Sequence, residues 1–190
     1  SPEKRLAGDP DCQPFAVEVH PDVGFICDFH AHLADSEIIG LLAGFWDAEN
    51  RVIYVQAPFP CVATDREDDG AMDVEMDPAS ELQIREIIQS HGMQVVGWYH
   101  SHPKFQPDPS ITDIINQSAY QSLLLDRATG ISPFIGLIVG TYDTSMRTPQ
   151  SIFRYFHIRN RTDKGKTGPV PMLVKANVRT FRRGLREEER

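Results

Sequence analysis

Nothing in this 190-residue sequence approaches the ~18 consecutive apolar residues that a membrane-crossing helix needs. Cysteine is scarce too. Cys12, Cys27 and Cys61 form no CxxC pair, and so odd and dispersed a set argues against a disulfide framework and against the thiolate-rich structural zinc sites. It fits a reducing compartment. No internal repeat, long low-complexity tract or secretory leader is visible. The chain opens at Ser1-Pro2-Glu3-Lys4 without a methionine, as a piece of a longer polypeptide would.

What is present is ordinary for a globular domain. Hydrophobic residues make up 41% and charged residues 24%, and the length suffices for one real core. The charge is uneven. Residues 1–153 carry 23 acidic and 8 basic side chains, whereas residues 154–190 carry 4 acidic and 11 basic. An acidic body with a basic end implies separate work for the end.

Residues 1–14 read as a disordered lead-in, 15–160 as one domain and 161–190 as a loose basic tail with a short helix near 175–185. Within the domain, residues 15–19 read as a strand. Residues 22–34 have helical spacing, with Val23, Ile26, Cys27 and Phe29 toward one side. Residues 37–44 form a nearly continuous apolar run, as a buried strand does. Residues 47–50 are a turn and 51–56 the returning strand of a hairpin. Residues 61–77 are acidic and irregular, a loop. Residues 78–91 read as a helix with Asp77 as N-cap, Pro78 in the first turn and Gly92 just past the end. A strand over 93–100, a helix from Ser110 to about Leu125, a buried strand over 134–139 and an edge strand over 151–158 complete the pattern. Strands mixed with three helices predict an α/β or α+β sandwich.

The segment Gly97-Trp98-Tyr99-His100-Ser101-His102-Pro103 is the most informative. On a strand, residues i and i+2 project to the same face, so His100 and His102 can present two imidazoles to one ion. Ser110 and Asp113 follow at a helix start, where the Asp113 carboxylate can face back and supply an oxygen. Two histidines and one carboxylate leave a fourth zinc position open, the catalytic pattern. Each part also has an ordinary reading, the histidines as half-buried side chains and Ser110 with Asp113 as a plain capping pair. The chain holds its own control in His30-Ala31-His32. On a helix, i and i+2 point about 200° apart, so these two histidines cannot share a metal. His20, His91 and His157 have no evident partner in the pattern. Glu37, at the head of an apolar strand, reads either as a hydrated strand end or as a placed acid.

Taken together, Glu37, His100-Ser101-His102-Pro103, Ser110 and Asp113 resemble the signature of the JAMM, or MPN-plus, zinc metalloproteases. The resemblance covers residues 15–160. It implies an MPN/JAMM fold, a curved mixed β-sheet sandwiched by helices and related to cytidine deaminases. It implies one catalytic zinc held by His100, His102 and Asp113, Glu37 as general base and Ser110 as oxyanion donor. The implied reaction is hydrolysis of the isopeptide bond between ubiquitin, or a ubiquitin-like protein, and a substrate lysine. The loop Lys104-Phe105-Gln106-Pro107-Asp108-Pro109 is similar to that of histone deubiquitinases carrying Myb-like, SWIRM and MPN domains, and of their MPN-domain relatives. That branch implies a nucleosomal histone as partner and a nuclear rather than cytoplasmic location. The proteasome-lid and signalosome branches carry a Cys-Trp pair where this chain has Asp108-Pro109. The endosomal branch uses a downstream cysteine, and none follows Cys61.

Three rival readings remain at this point. A catalytically silent MPN scaffold, or interaction domain of a larger complex, is expected to lack a ligand. A zinc base deaminase needs H-x-E and P-C-x-x-C patterns, both absent. Nucleic-acid contact by the tail would use Lys164, Lys166, Arg179, Arg182 and Arg183, against the plainer reading of a solvated basic segment.

Overall fold

The computed structural model describes residues 12–64, 74–104, 106–141 and 150–181. In chain order the elements are β1 (Ala16–Val19), α1 (Pro21–Ala31), β2 (Ile39–Asp47), β3 (Val52–Cys61), α2 (Pro78–Ser90), β4 (Gln94–His102), α3 (Ile111–Leu123), β5 (Ile135–Gly140), β6 (Ile152–Asp163), β7 (Lys166–Leu173) and β8 (Ala176–Val178). All eight strands join one mixed sheet in the order β7-β6-β5-β4-β2-β3-β1-β8. β2 and β4 are antiparallel and central, and β5 runs parallel to β4.

The sheet has apolar residues on both faces. Val17, Val19, Leu42, Ile53, Val55, Tyr99 and Leu137 pack with Val23, Cys27 and Ala31 of α1. On the other face Ile39, Leu41, Trp98, Ile138 and Phe156 pack with Ile84 and Ile88 of α2 and Ile114 and Tyr120 of α3. This is the expected sandwich of a curled mixed sheet between helices. Near-continuous hydrophobic strands such as Ile39–Ala43 and Ile135–Val139 follow from burial on both faces.

Three helices stand where the spacing places them. His20 caps α1 by accepting from the Asp22 amide, and Asp77 caps α2 by accepting from the Ser80 amide at 2.7 Å. Gly92 has φ 64°, the left-handed conformation that ends α2 without a Cβ penalty. The buried stripe of α1 differs from expectation. Val23, Cys27 and Ala31 face inward at i, i+4, i+8, leaving Phe29 61% and Ile26 37% exposed.

Two further expectations are corrected. Residues 151–158 are not an edge strand, because β6 pairs with β5 on one side and β7 on the other. The segment beyond 160 is not loose as far as Val178, and no helix forms over 175–181. β6 runs on to Asp163, turns at Lys164 and Gly165, both at positive φ, and returns as β7. β8 then pairs in parallel with β1. Pro169 and Pro171, which disguise β7 in the sequence, are tolerated because β7 is an edge. Of the lead-in, Gln13 is tied to the body through the Phe15 carbonyl at 2.7 Å and the Lys175 amide at 2.8 Å. Residues 1–11, most of the acidic loop (65–73) and the end of the tail (182–190) lie outside the described residues.

Candidate metal centre

β4 delivers two histidines to one face. A register shift against β2 between Leu42 and Ala43 sets the alternation, after which Trp98, His100 and His102 share the α2/α3 face. The two Nε2 atoms stand 3.0 Å apart. The loop 103–110 then leads into α3, whose N-cap is Ser110. Ser110 Oγ accepts from the Asp113 amide at 3.1 Å and Asp113 Oδ2 accepts from the Ser110 amide at 2.8 Å, a reciprocal capping box. That box holds the Asp113 carboxylate in the first turn, aimed back at β4. Its Oδ1 lies 3.1 Å from His100 Nε2 and its Oδ2 3.5 Å from His102 Nε2.

One atom from each of His100, His102 and Asp113 falls within 4.8 Å of the others, and all three residues are buried. Zinc ligands at about 2.0–2.1 Å in a tetrahedron stand roughly 3.3 Å apart, so the donor set and its spacing fit zinc. The outer contacts agree. His102 Nδ1 lies 2.9 Å from the Gln106 carbonyl, the partner that keeps its proton on Nδ1 and leaves the Nε2 lone pair to a metal. His100 stacks on Trp98 with ring centroids 4.6 Å apart and planes 14° apart, and the Trp98 indole donates to Gln117 Oε1 at 2.7 Å.

Electrostatics centre a positive charge here. Burial alone would raise the Asp113 carboxyl, but hydrogen bonds from His100 and His102 outweigh it and hold the group well below the usual carboxylate range. Burial likewise would depress His102, yet its bonds to Asp113 and Gln106 and the nearby Glu37 raise it instead.

Glu37 lies two residues ahead of β2 rather than within it. Its Oε1 is 3.7 Å from His102 Nε2, its Oε2 accepts from the Val74 amide at 2.9 Å, and its side chain is 10% exposed. Two residues that place it carry no signal in the sequence pattern. Ser101, between the histidines, faces the other way. Its Oγ accepts from the Ile38 amide at 3.0 Å, and its own amide donates to the Ile38 carbonyl at 3.1 Å, fixing the residue after Glu37. Val74 is the second. A cavity of about 220 Å³ opens beside the site, bordered by Ile39, Val74, Met76, Trp98, Tyr120 and Leu123.

The other histidines stay apart from this centre. His30 Nδ1 bonds the Tyr99 hydroxyl at 2.8 Å, His32 Nδ1 the Asp28 carbonyl at 2.8 Å, His91 Nδ1 the Ile87 carbonyl at 2.8 Å and His157 Nδ1 the Phe134 carbonyl at 3.0 Å. Of the basic tail residues, Arg179 pairs with Glu18, while Arg182 and Arg183 lie outside the described residues.

A buried two-histidine, one-carboxylate centre with an acid beside it, set on a sheet between helices, defines a mononuclear metal-hydrolase type of site. Comparison with known proteins gives the lineage. The profile of the JAB1/Mov34/MPN/PAD-1 ubiquitin protease family matches residues 13–125, and the chain belongs to that family. It is 40% identical over 139 residues to the deubiquitinase MYSM1 of Homo sapiens and 40% identical over 138 residues to the histone deubiquitinase MYSM1 of Branchiostoma floridae. In both cases the match covers 73% of this chain but 16% of the relative. An MPN domain-containing protein of Homo sapiens is 38% identical over 139 residues, covering 73% of this chain and 28% of that one. The solution structure of protein DSY2949 from Desulfitobacterium hafniense shares the fold, with a TM-score of 0.53 at 20% identity, over 85% of this chain and 94% of that one.

Proposed function

We propose that this domain is a zinc-dependent isopeptidase that releases ubiquitin, or a ubiquitin-like protein, from a substrate lysine, with a nucleosomal histone as the favoured substrate. The observation that carries this reading is the convergence of His100, His102 and Asp113, with Glu37 alongside. The printed activities of the MYSM1 relatives support the choice of ubiquitin and of a histone, and with them a nuclear location.

His100, His102 and Asp113 would hold the ion. When bound, zinc supplies Lewis acidity, polarising a carbonyl and bringing the pKa of water down to roughly 7. Glu37 takes the proton from the attacking water through Oε1, the oxygen turned toward the histidines. The same carboxyl then returns the proton to the departing lysine amine, which leaves as a neutral group. Ser110 accepts the Asp113 amide on Oγ, so its hydroxyl hydrogen is the donor for the carbonyl oxygen as negative charge develops there. The extended end of ubiquitin enters as a strand along an exposed backbone edge, and the narrow approach to the ion favours glycine.

The test is zinc analysis of the purified chain together with cleavage of ubiquitin dimers and ubiquitinated nucleosomes, with and without a chelator. About one zinc per chain and chelator-sensitive cleavage are expected. A preparation that holds zinc yet cleaves none of these substrates would turn the reading toward a silent scaffold. One that neither holds nor takes up zinc would end it.

A further inference from the structure

We infer that the backbone amide of Val74 is a positioning group for the general base, an inference that rests on the role proposed for Glu37. The Glu37 carboxylate divides its two oxygens. Oε2 accepts from the Val74 amide at 2.9 Å, while Oε1 faces His102 Nε2 at 3.7 Å. Three rotatable bonds separate that carboxylate from the backbone, and Glu37 lies in irregular chain ahead of β2. Neither a ladder nor a helix restricts the side chain, so tying down one oxygen is what aims the other.

The donor is itself held in place. Residues 74–77 return in extended form against the end of β3. The Thr64 amide donates to the Glu75 carbonyl and the Asp77 amide to the Val62 carbonyl, both at 2.9 Å. Ala63 and Met76 form an antiparallel bridge, and the Val62 amide donates to Ser80 Oγ at 2.9 Å. The side chains of Val74 and Met76 pack against the apolar cluster that contains Ile39 and Trp98. Val74 therefore has two separable parts. Its isopropyl group anchors the segment, and its N–H orients the base. Displacing this segment loosens Glu37 without touching a metal ligand.

The experiment separates those parts in the intact chain. Replacing Val74 by its α-hydroxy acid gives a backbone ester that keeps the isopropyl group and removes the N–H. Val74→Ala does the reverse. The ester should lower kcat by roughly tenfold to a hundredfold, the scale of a lost hydrogen bond to a charged group, with KM and zinc stoichiometry unchanged. Val74→Ala should keep kcat within about threefold, since the donor survives. In a Glu37→Gln background the ester should cost almost nothing further, because there is no base left to aim. Wild-type kcat in the ester, loss of zinc in the ester, or an equal drop in both backgrounds would each overturn the inference. Full activity in Glu37→Gln alone would instead remove the role of Glu37, and this inference with it.

Discussion

His30-Ala31-His32 and His100-Ser101-His102 have the same spacing, yet the first pair separates toward the Tyr99 hydroxyl and the Asp28 carbonyl while the second converges to 3.0 Å. The difference is the backbone period. On α1 a two-residue step swings the side chain to another side, and on β4 it returns to the same face. The environments then diverge as well. Burial holds His30 below the ordinary histidine range, whereas acceptors around His102 overcome the same burial and raise it. Residue type and spacing are thus informative only once the secondary structure is known.

The sharpest way to break the comparison is to remove one imidazole from each pair and count zinc. His100→Ala should reduce zinc from about one per chain to nearly none, since two remaining ligands do not hold a catalytic ion, whereas His30→Ala should leave it intact. Equal zinc loss in both variants would mean that geometry is not what distinguishes them. Next in size is Glu37→Gln, which should keep zinc while turnover falls by roughly 10²- to 10⁴-fold. Loss of zinc in that variant would make Glu37 a ligand instead. Ser110→Ala comes third. It removes one half of the capping box, costing about 1 kcal/mol in thermal or denaturant unfolding, and should lower kcat more than it raises KM. A stability loss with unchanged kcat would leave Ser110 as a cap alone. The helical pair should show the smallest effects. His30→Ala should destabilise by about 1 kcal/mol through the lost Tyr99 bond. His32→Ala, at an exposed helix end, should stay within about 0.5 kcal/mol.

The legible part of the centre is the part built locally. His100 and His102 sit on one strand, and Ser110 and Asp113 close one helix turn, so period and capping rules describe them. Glu37 is not legible in this way. Nothing in its neighbourhood distinguishes a base from a hydrated strand end, and only the resemblance singles it out. Its placement depends on contacts with Ser101-held Ile38 and with Val74, 37 residues along the chain from Glu37. The fold shows the same division. α2 and α3 announce themselves by caps, but β7 and β8 do not, because prolines on an edge strand and a three-residue parallel strand leave little periodic signal. The inward face of α1 escapes the pattern because Phe29 and Ile26 are apolar yet turned outward, and hydrophobicity alone does not say which side the sheet is on.

The stacking of Trp98 on His100 gives the centre an optical reporter. The protein has two tryptophans. Trp46 is half-buried and bonds Asp126, well apart from the histidines in its contacts, while Trp98 is almost wholly enclosed with its ring face against a candidate ligand. An ion that takes His100 draws positive charge onto an imidazole lying over the indole, and a cation over that face perturbs its electrons. In a Trp46→Phe background, fluorescence therefore comes from one indole, and its intensity should follow zinc as it is titrated in and reverse with chelator. Occupancy of the site becomes readable in solution, with no substrate and no label.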